Sequence, residues 1–106
     1  MYKPLPESLT IKTSKVNGLG LFTKEGIAQG TNLGMTHLKL GSKIFRTPLG
    51  GFINHANEAN CVKAELLFTN EDDPKLKFNY KKWNLITVRD IKAGEELTVR
   101  YTFYKV

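Results

Sequence analysis

The sequence predicts a mostly β fold of short strands, and three observations carry that expectation. Apolar residues alternate with polar ones at Leu9 and Ile11, at Val62, Ala64, Leu66 and Phe68, at Leu76, Phe78 and Tyr80, and at Leu97, Val99, Tyr101 and Phe103. That two-residue period puts successive side chains on opposite faces of a strand. Turn residues punctuate these runs, most clearly Asn17-Gly18 and Asn70-Glu71-Asp72-Asp73-Pro74, where glycine, asparagine and proline supply the backbone angles a turn needs. No long stretch has a helical period with caps, so every helix should be short.

In chain order, Pro4 and Pro6 suit an extended lead-in. Leu9 and Ile11 alternate with Thr10 and Lys12 as a first strand, and Gly18-Leu19-Gly20 leads into a short apolar strand at Leu21-Phe22. Residues 23–30 form a turn-rich connection, and residues 31–40 read as a second hairpin. Residues 36–50 resist interpretation. Residues 62–80 read as a hairpin about the turn at 70–74, and residues 85–89 and 97–103 as two further strands. One internal echo stands out. Ile27, Gly30 and Leu33 have the same spacing as Ile91, Gly94 and Leu97, each set following a charged turn, which predicts two similar β-turn units.

The 106 residues make one domain, spanning 1–106 with its core at about 8–104. A hydrophobic fraction of 41% and a charged fraction of 25% are ordinary for a soluble domain. The apolar runs are too short for a transmembrane helix or a signal-peptide core, so no membrane partner is expected. A single cysteine excludes an internal disulfide and fits a reducing, intracellular compartment, cytoplasmic or nuclear. Cys61, His55 and His37 are too few and scattered for a metal site. The net charge of +6, with clusters at 39–46 and 75–82, favours acidic surfaces. No helix-turn-helix, RNA-recognition or zinc-finger pattern accompanies it, so nucleic acid is not specifically indicated.

The chain is organised around Gly50-Gly51-Phe52-Ile53-Asn54-His55-Ala56-Asn57-Glu58-Ala59-Asn60-Cys61. This mix is poor in helix and strand formers and should be an irregular segment anchored by Phe52 and Ile53. Its asparagines can satisfy backbone donors and acceptors, because each amide both donates and accepts. Alone, it reads equally as a self-capping turn or a ligand site. Two other stretches matter: Val16-Asn17-Gly18-Leu19-Gly20-Leu21-Phe22, and Ala93-Gly94-Glu95-Glu96-Leu97-Thr98-Val99-Arg100-Tyr101.

In this order the three stretches resemble the signature set of the SET-domain family of protein lysine methyltransferases. The matching features are a G-x-G near the start, an aromatic-Ile-Asn-His segment followed by a second Asn, and a Gly-Glu-Glu-Leu-Thr strand ending in Tyr. The resemblance implies a SET-type β-clip of short sheets with a C-terminal pseudoknot and few short helices. It implies S-adenosylmethionine as cofactor and, as partner, a protein substrate carrying a lysine. Gly18, Leu19 and Gly20 would hold the amino-acid end of the cofactor through main-chain groups, where absent Cβ atoms allow close approach. Asn54 would face its methionine part, and the backbone of His55 its adenine edge. Tyr101 would touch the cofactor and orient the lysine amine, with Phe52, Phe103 and Tyr104 lining the lysine channel. Asn60 and Cys61 would be structural, Cys61 as a small buried filler. Glu95 and Glu96, in a turn, read as solvated carboxylates.

The implied reaction is in-line attack of a lysine ε-amine on a sulfonium methyl. The amine must be neutral, although its free pKa is about 10.4; an apolar channel and a nearby cation both lower that value. Nucleophile and methyl must also be held in line.

The chain departs from the family in several places. Asn57, Ala59 and Ala56 stand where other residues are usual, Arg100 precedes Tyr101 where Asp is frequent, and Thr36-His37 occupy the region of a usual tyrosine. The central insert shrinks to roughly residues 38–50, and only five residues follow Tyr101, leaving no zinc-binding flank. This resembles minimal, viral-type members, and a homodimer would supply the missing channel wall. Two alternatives stay open: a degenerate SET-like module that binds a protein partner without catalysis, and a sugar- or ice-binding clip domain resembled by residues 89–98.

Overall fold

The computed structural model describes residues 5–68 and 80–100. Expectations that fall on residues 1–4, 69–79 and 101–106, including the lead-in at Pro4 and the turn at 70–74, lie outside them. The elements in order are β1 (Leu9–Thr13), β2 (Leu19–Thr23), β3 (Asn32–Leu40), β4 (Lys43–Arg46), α1 (Pro48–Phe52), β5 (Asn54–His55), β6 (Cys61–Phe68), β7 (Tyr80–Thr87) and β8 (Glu96–Val99). The mostly β expectation holds, with one short helix among the described residues.

The strands form a curled sheet in the order β1-β2-β8-β6-β7-β3-β4, with β5 also on β8. β1 and β2 make the first hairpin, Leu9 opposite Thr23 and Thr13 opposite Leu19. At their junction Gly18 has φ of +48°, a conformation that suits glycine. Residues 31–40 are one long strand rather than a hairpin; the turn comes later, at Gly41, and β4 pairs back on β3 from Leu40–Lys43 to His37–Arg46. β4 lies at the sheet edge with every residue exposed. The helix follows from local chemistry. Thr47 is its N-cap, Pro48 opens it, and the Thr47 hydroxyl donates to the Met35 carbonyl at 2.6 Å.

The separate strand expected at residues 85–89 is also corrected. β6 pairs with β7 in one register from Cys61–Thr87 to Phe68–Tyr80, so Leu85, Ile86 and Thr87 belong to the returning strand and are no separate element. Trp83, Leu85 and Thr87 alternate as the buried face of β7.

The internal echo becomes contact. Ile27 and Ile91 form an isolated antiparallel bridge, each N–H donating to the other's carbonyl at 2.8 Å. Gly30 N donates to Thr87 O at 2.8 Å, and Gly94 N donates to Thr23 O at 2.7 Å, the same bond in the other unit. Both glycines have positive φ, +82° and +89°. Two like units thus pack face to face around the isoleucine pair.

β8 is the strand that positions everything else. It is antiparallel to β2 (Leu21 opposite Leu97), parallel to β5 (Asn54 opposite Thr98, His55 opposite Val99) and parallel to β6 (Cys61 opposite Val99). Leu97, Thr98 and Val99 are all buried. The core gathers around them from Leu9, Leu21, Ile27, Leu33, Leu49, Ile53, Cys61, Leu85 and Ile91, with Phe52 packed against its side. Full burial of a leucine such as Leu21 or Leu85 stabilises by about 1.5–3 kcal/mol.

Candidate functional site

The irregular segment between β5 and β6 is fixed by its own amides. Ile53 is buried beneath it. Both ends of the segment pair with β8, and the Ala56 N–H donates to Val99 O at 3.0 Å. Asn60, buried, donates through Nδ2 to Glu96 O and accepts at Oδ1 from Thr98 N–H, both at 2.9 Å. Its side chain therefore acts as a peptide group on β8, in keeping with the structural role expected of it.

Asn54 faces the other way. Its Nδ2 donates toward the carbonyls of Asn17 and Leu19, each at 3.1 Å, and toward Oε2 of Glu96 at 2.9 Å. The Ser14 hydroxyl lies 2.8 Å from both Glu96 carboxylate oxygens and accepts from the Val16 N–H at 2.9 Å. One point thus joins all three motifs: the glycine-bearing turn, the Asn-His segment and the Glu-Glu strand. Gly20 makes this junction possible. A Cβ there would fall on the Glu96 carboxylate and come within 3.1 Å of Asn54 Nδ2.

The structure corrects the reading of Glu96. Glu95 does behave as a surface carboxylate, paired with Arg89 at 3.1 Å. Glu96 instead sits half-buried on β8 opposite Phe22 and is bonded to Ser14 and Asn54. Sequence could not show this, because Ser14 and Glu96 are 82 residues apart.

Of the expected cofactor residues, Gly18, Leu19, Gly20 and Asn54 come together here, and His55 follows on the same short strand. The imidazole of His55 is held below its usual pKa by partial burial and by the charge of Lys63. Phe52 closes α1 and packs on the core. Tyr101, Phe103 and Tyr104 lie outside the described residues; Val99, two positions before Tyr101, is the residue opposite His55.

A second buried polar group lies on β3. His37 is almost wholly buried, packs edge-on to Trp83, and has its Nδ1 3.0 Å from the Thr36 hydroxyl. That hydroxyl donates its proton to the Trp83 carbonyl at 3.0 Å, so His37 Nδ1 carries the hydrogen and Nε2 is a bare acceptor. Nε2 has no partner among the described residues. Burial, with Lys63 and Arg46 adding charge, brings its pKa down to about 4. No grouping of His, Cys, Asp and Glu suited to a metal occurs among the described residues.

Comparison with models of protein families matches residues 36–102 to the SET domain. The chain belongs to the SET-domain family. Its fold is similar to that of a Plasmodium falciparum protein, known from a crystal structure and described as a candidate histone methyltransferase. The TM-score is 0.67 at 15% identity, covering 94% of this chain and 97% of that one. At that identity the likeness shows the fold alone. No curated protein sequence matches the chain.

Proposed function

We propose that this SET domain is an S-adenosylmethionine-dependent protein lysine N-methyltransferase. The observation that carries the reading is the convergence at Asn54, whose amide ties the Gly18–Gly20 turn to Glu96. This gives a cluster of backbone carbonyls, an amide and a carboxylate at the end of β5. Such a cluster suits a ligand with an amino-acid end, which needs acceptors for its ammonium and donors for its carboxylate. The cofactor, when bound, would supply the electrophilic methyl. The chain's own residues would bind its amino-acid end at Gly18, Leu19, Gly20 and Asn54 and its base beside His55. Tyr101 would orient the acceptor amine, and the 54–61 segment would be the loop through which the C-terminal segment threads as a pseudoknot.

A partner-binding module without catalysis is the second reading, favoured by the buried His37 in the region where the family's tyrosine usually stands. Calorimetry with S-adenosylmethionine and transfer of labelled methyl to lysine peptides separates the two. Cofactor binding with transfer, and a roughly hundredfold drop in turnover for Tyr101→Phe at unchanged affinity, supports the enzyme. Binding with no transfer to any protein supports the module. No binding at millimolar cofactor removes the methyltransferase reading.

A further inference from the structure

We infer that Glu96 is the anionic partner of the ammonium on the ligand's amino-acid end. The inference rests on the methyltransferase reading, and gives a role in ligand recognition to a motif residue that the sequence left as a solvated carboxylate. The Asn54 nitrogen carries two protons but has three acceptors around it, the carbonyls of Asn17 and Leu19 and the carboxylate of Glu96, at 3.1, 3.1 and 2.9 Å. The triad is short of donors. Among the described residues, the one other side-chain proton directed to it is that of the Ser14 hydroxyl, which bonds the Glu96 carboxylate. Ser14 is itself held in place by the Val16 N–H.

Charge points the same way. Glu96 is half-buried, and among the described residues no lysine or arginine pairs with it. A carboxylate so placed favours a cation over a neutral donor, because a charge-assisted bond is about twice as strong. An ammonium brings three N–H groups and a full positive charge, the complement of two carbonyls and a carboxylate. Gly20 adds the space, since any side chain there would displace the carboxylate.

The test uses the full chain and two probes: S-adenosylhomocysteine, whose ammonium is its only cation, and its analogue with that amine replaced by hydrogen. Affinities are measured by calorimetry for the natural chain, Glu96→Gln and Ser14→Ala, with melting curves to confirm folding. Glu96→Gln should weaken S-adenosylhomocysteine by roughly ten- to hundredfold and leave the desamino analogue within about threefold. Ser14→Ala keeps the charge and should cost much less on both. Equal losses of both probes in Glu96→Gln make the carboxylate a mere tether between segments and overturn the inference, as does no loss on either. Failure of the natural chain to bind either probe overturns the methyltransferase reading, and the inference with it.

Discussion

The side-chain amide of Asn60 stands in for a peptide group beside Thr98, accepting from the Thr98 N–H and donating to the carbonyl of Glu96, each at 2.9 Å. Both backbone groups belong to β8, the strand on which the site is assembled. Removing the amide would strand a buried donor and an acceptor, each costing about 1–3 kcal/mol. Asn60→Ala should therefore destabilise the domain by roughly 2–4 kcal/mol. A urea unfolding curve checks this; a midpoint within error of the natural chain would mean that β8 does not depend on the Asn60 amide.

His37 gives the fold a pH dependence whose sign is fixed by its surroundings. Burial, Lys63 and Arg46 bring its pKa down to about 4 from the usual 6.5. As pH falls through that window the unfolded chain takes up a proton that the folded chain refuses, so stability is lost as pH drops. It is fully present above about 6.5. The difference corresponds to roughly 3 kcal/mol. His55, also held low, adds in the same direction. Unfolding free energies at pH 7 and pH 4.5 should show the loss, and His37→Gln should flatten most of the slope.

The elements that carry Asn60 and His37 were legible in the sequence to different degrees. Period-two alternation found β1 and β8 because each buries apolar side chains in the core, and found β6 although Val62 and Leu66, two of the residues that marked it, stay exposed. It failed on β4, an edge strand exposed throughout, where nothing forces alternation. It also split β7, because Lys81, Lys82 and Asn84 interrupt the apolar pattern around Trp83 and Leu85. The helix at 48–52 has a visible start in Thr47-Pro48 but is too short for a helical period. The motif residues of the site were legible by resemblance. Ser14 lies outside the motifs, and Glu96, though within one, read as a solvated carboxylate in a turn; both gain meaning only when folding brings them to 2.8 Å.

Cys61 offers a probe of local opening. It is fully buried where β6 meets β8, and burial pushes its thiol up to about 12, against a small opposing effect of Arg89. The thiolate is the reactive species, so almost none exists at pH 8 in the folded chain. As the chain's one cysteine, it gives a single signal. Ellman's reagent should label the protein promptly in guanidinium and hardly at all when native. Rapid native labelling at pH 8 would show that the β6–β8 junction opens readily.

Gly20 and Gly50 should respond differently to the same added methyl group, because of what each would strike. At Gly50 a Cβ would lie 2.5 Å from the Thr36 carbonyl and 2.7 Å from Cε1 of His37, a backbone atom and a packed ring that cannot step aside. Gly50→Ala should thus shift α1 against β3 and cost about 1–3 kcal/mol by overpacking. At Gly20 the nearest atoms are the end of the Glu96 side chain and the Asn54 amide, which can rotate away. Gly20→Ala should leave the melting temperature within a few degrees while breaking the Ser14–Glu96–Asn54 bonds, and cofactor affinity should fall by roughly tenfold or more. Paired melting and calorimetry on the two variants tests the contrast. A large stability loss at Gly20 with affinity intact would show that this junction braces the fold rather than shaping a binding site.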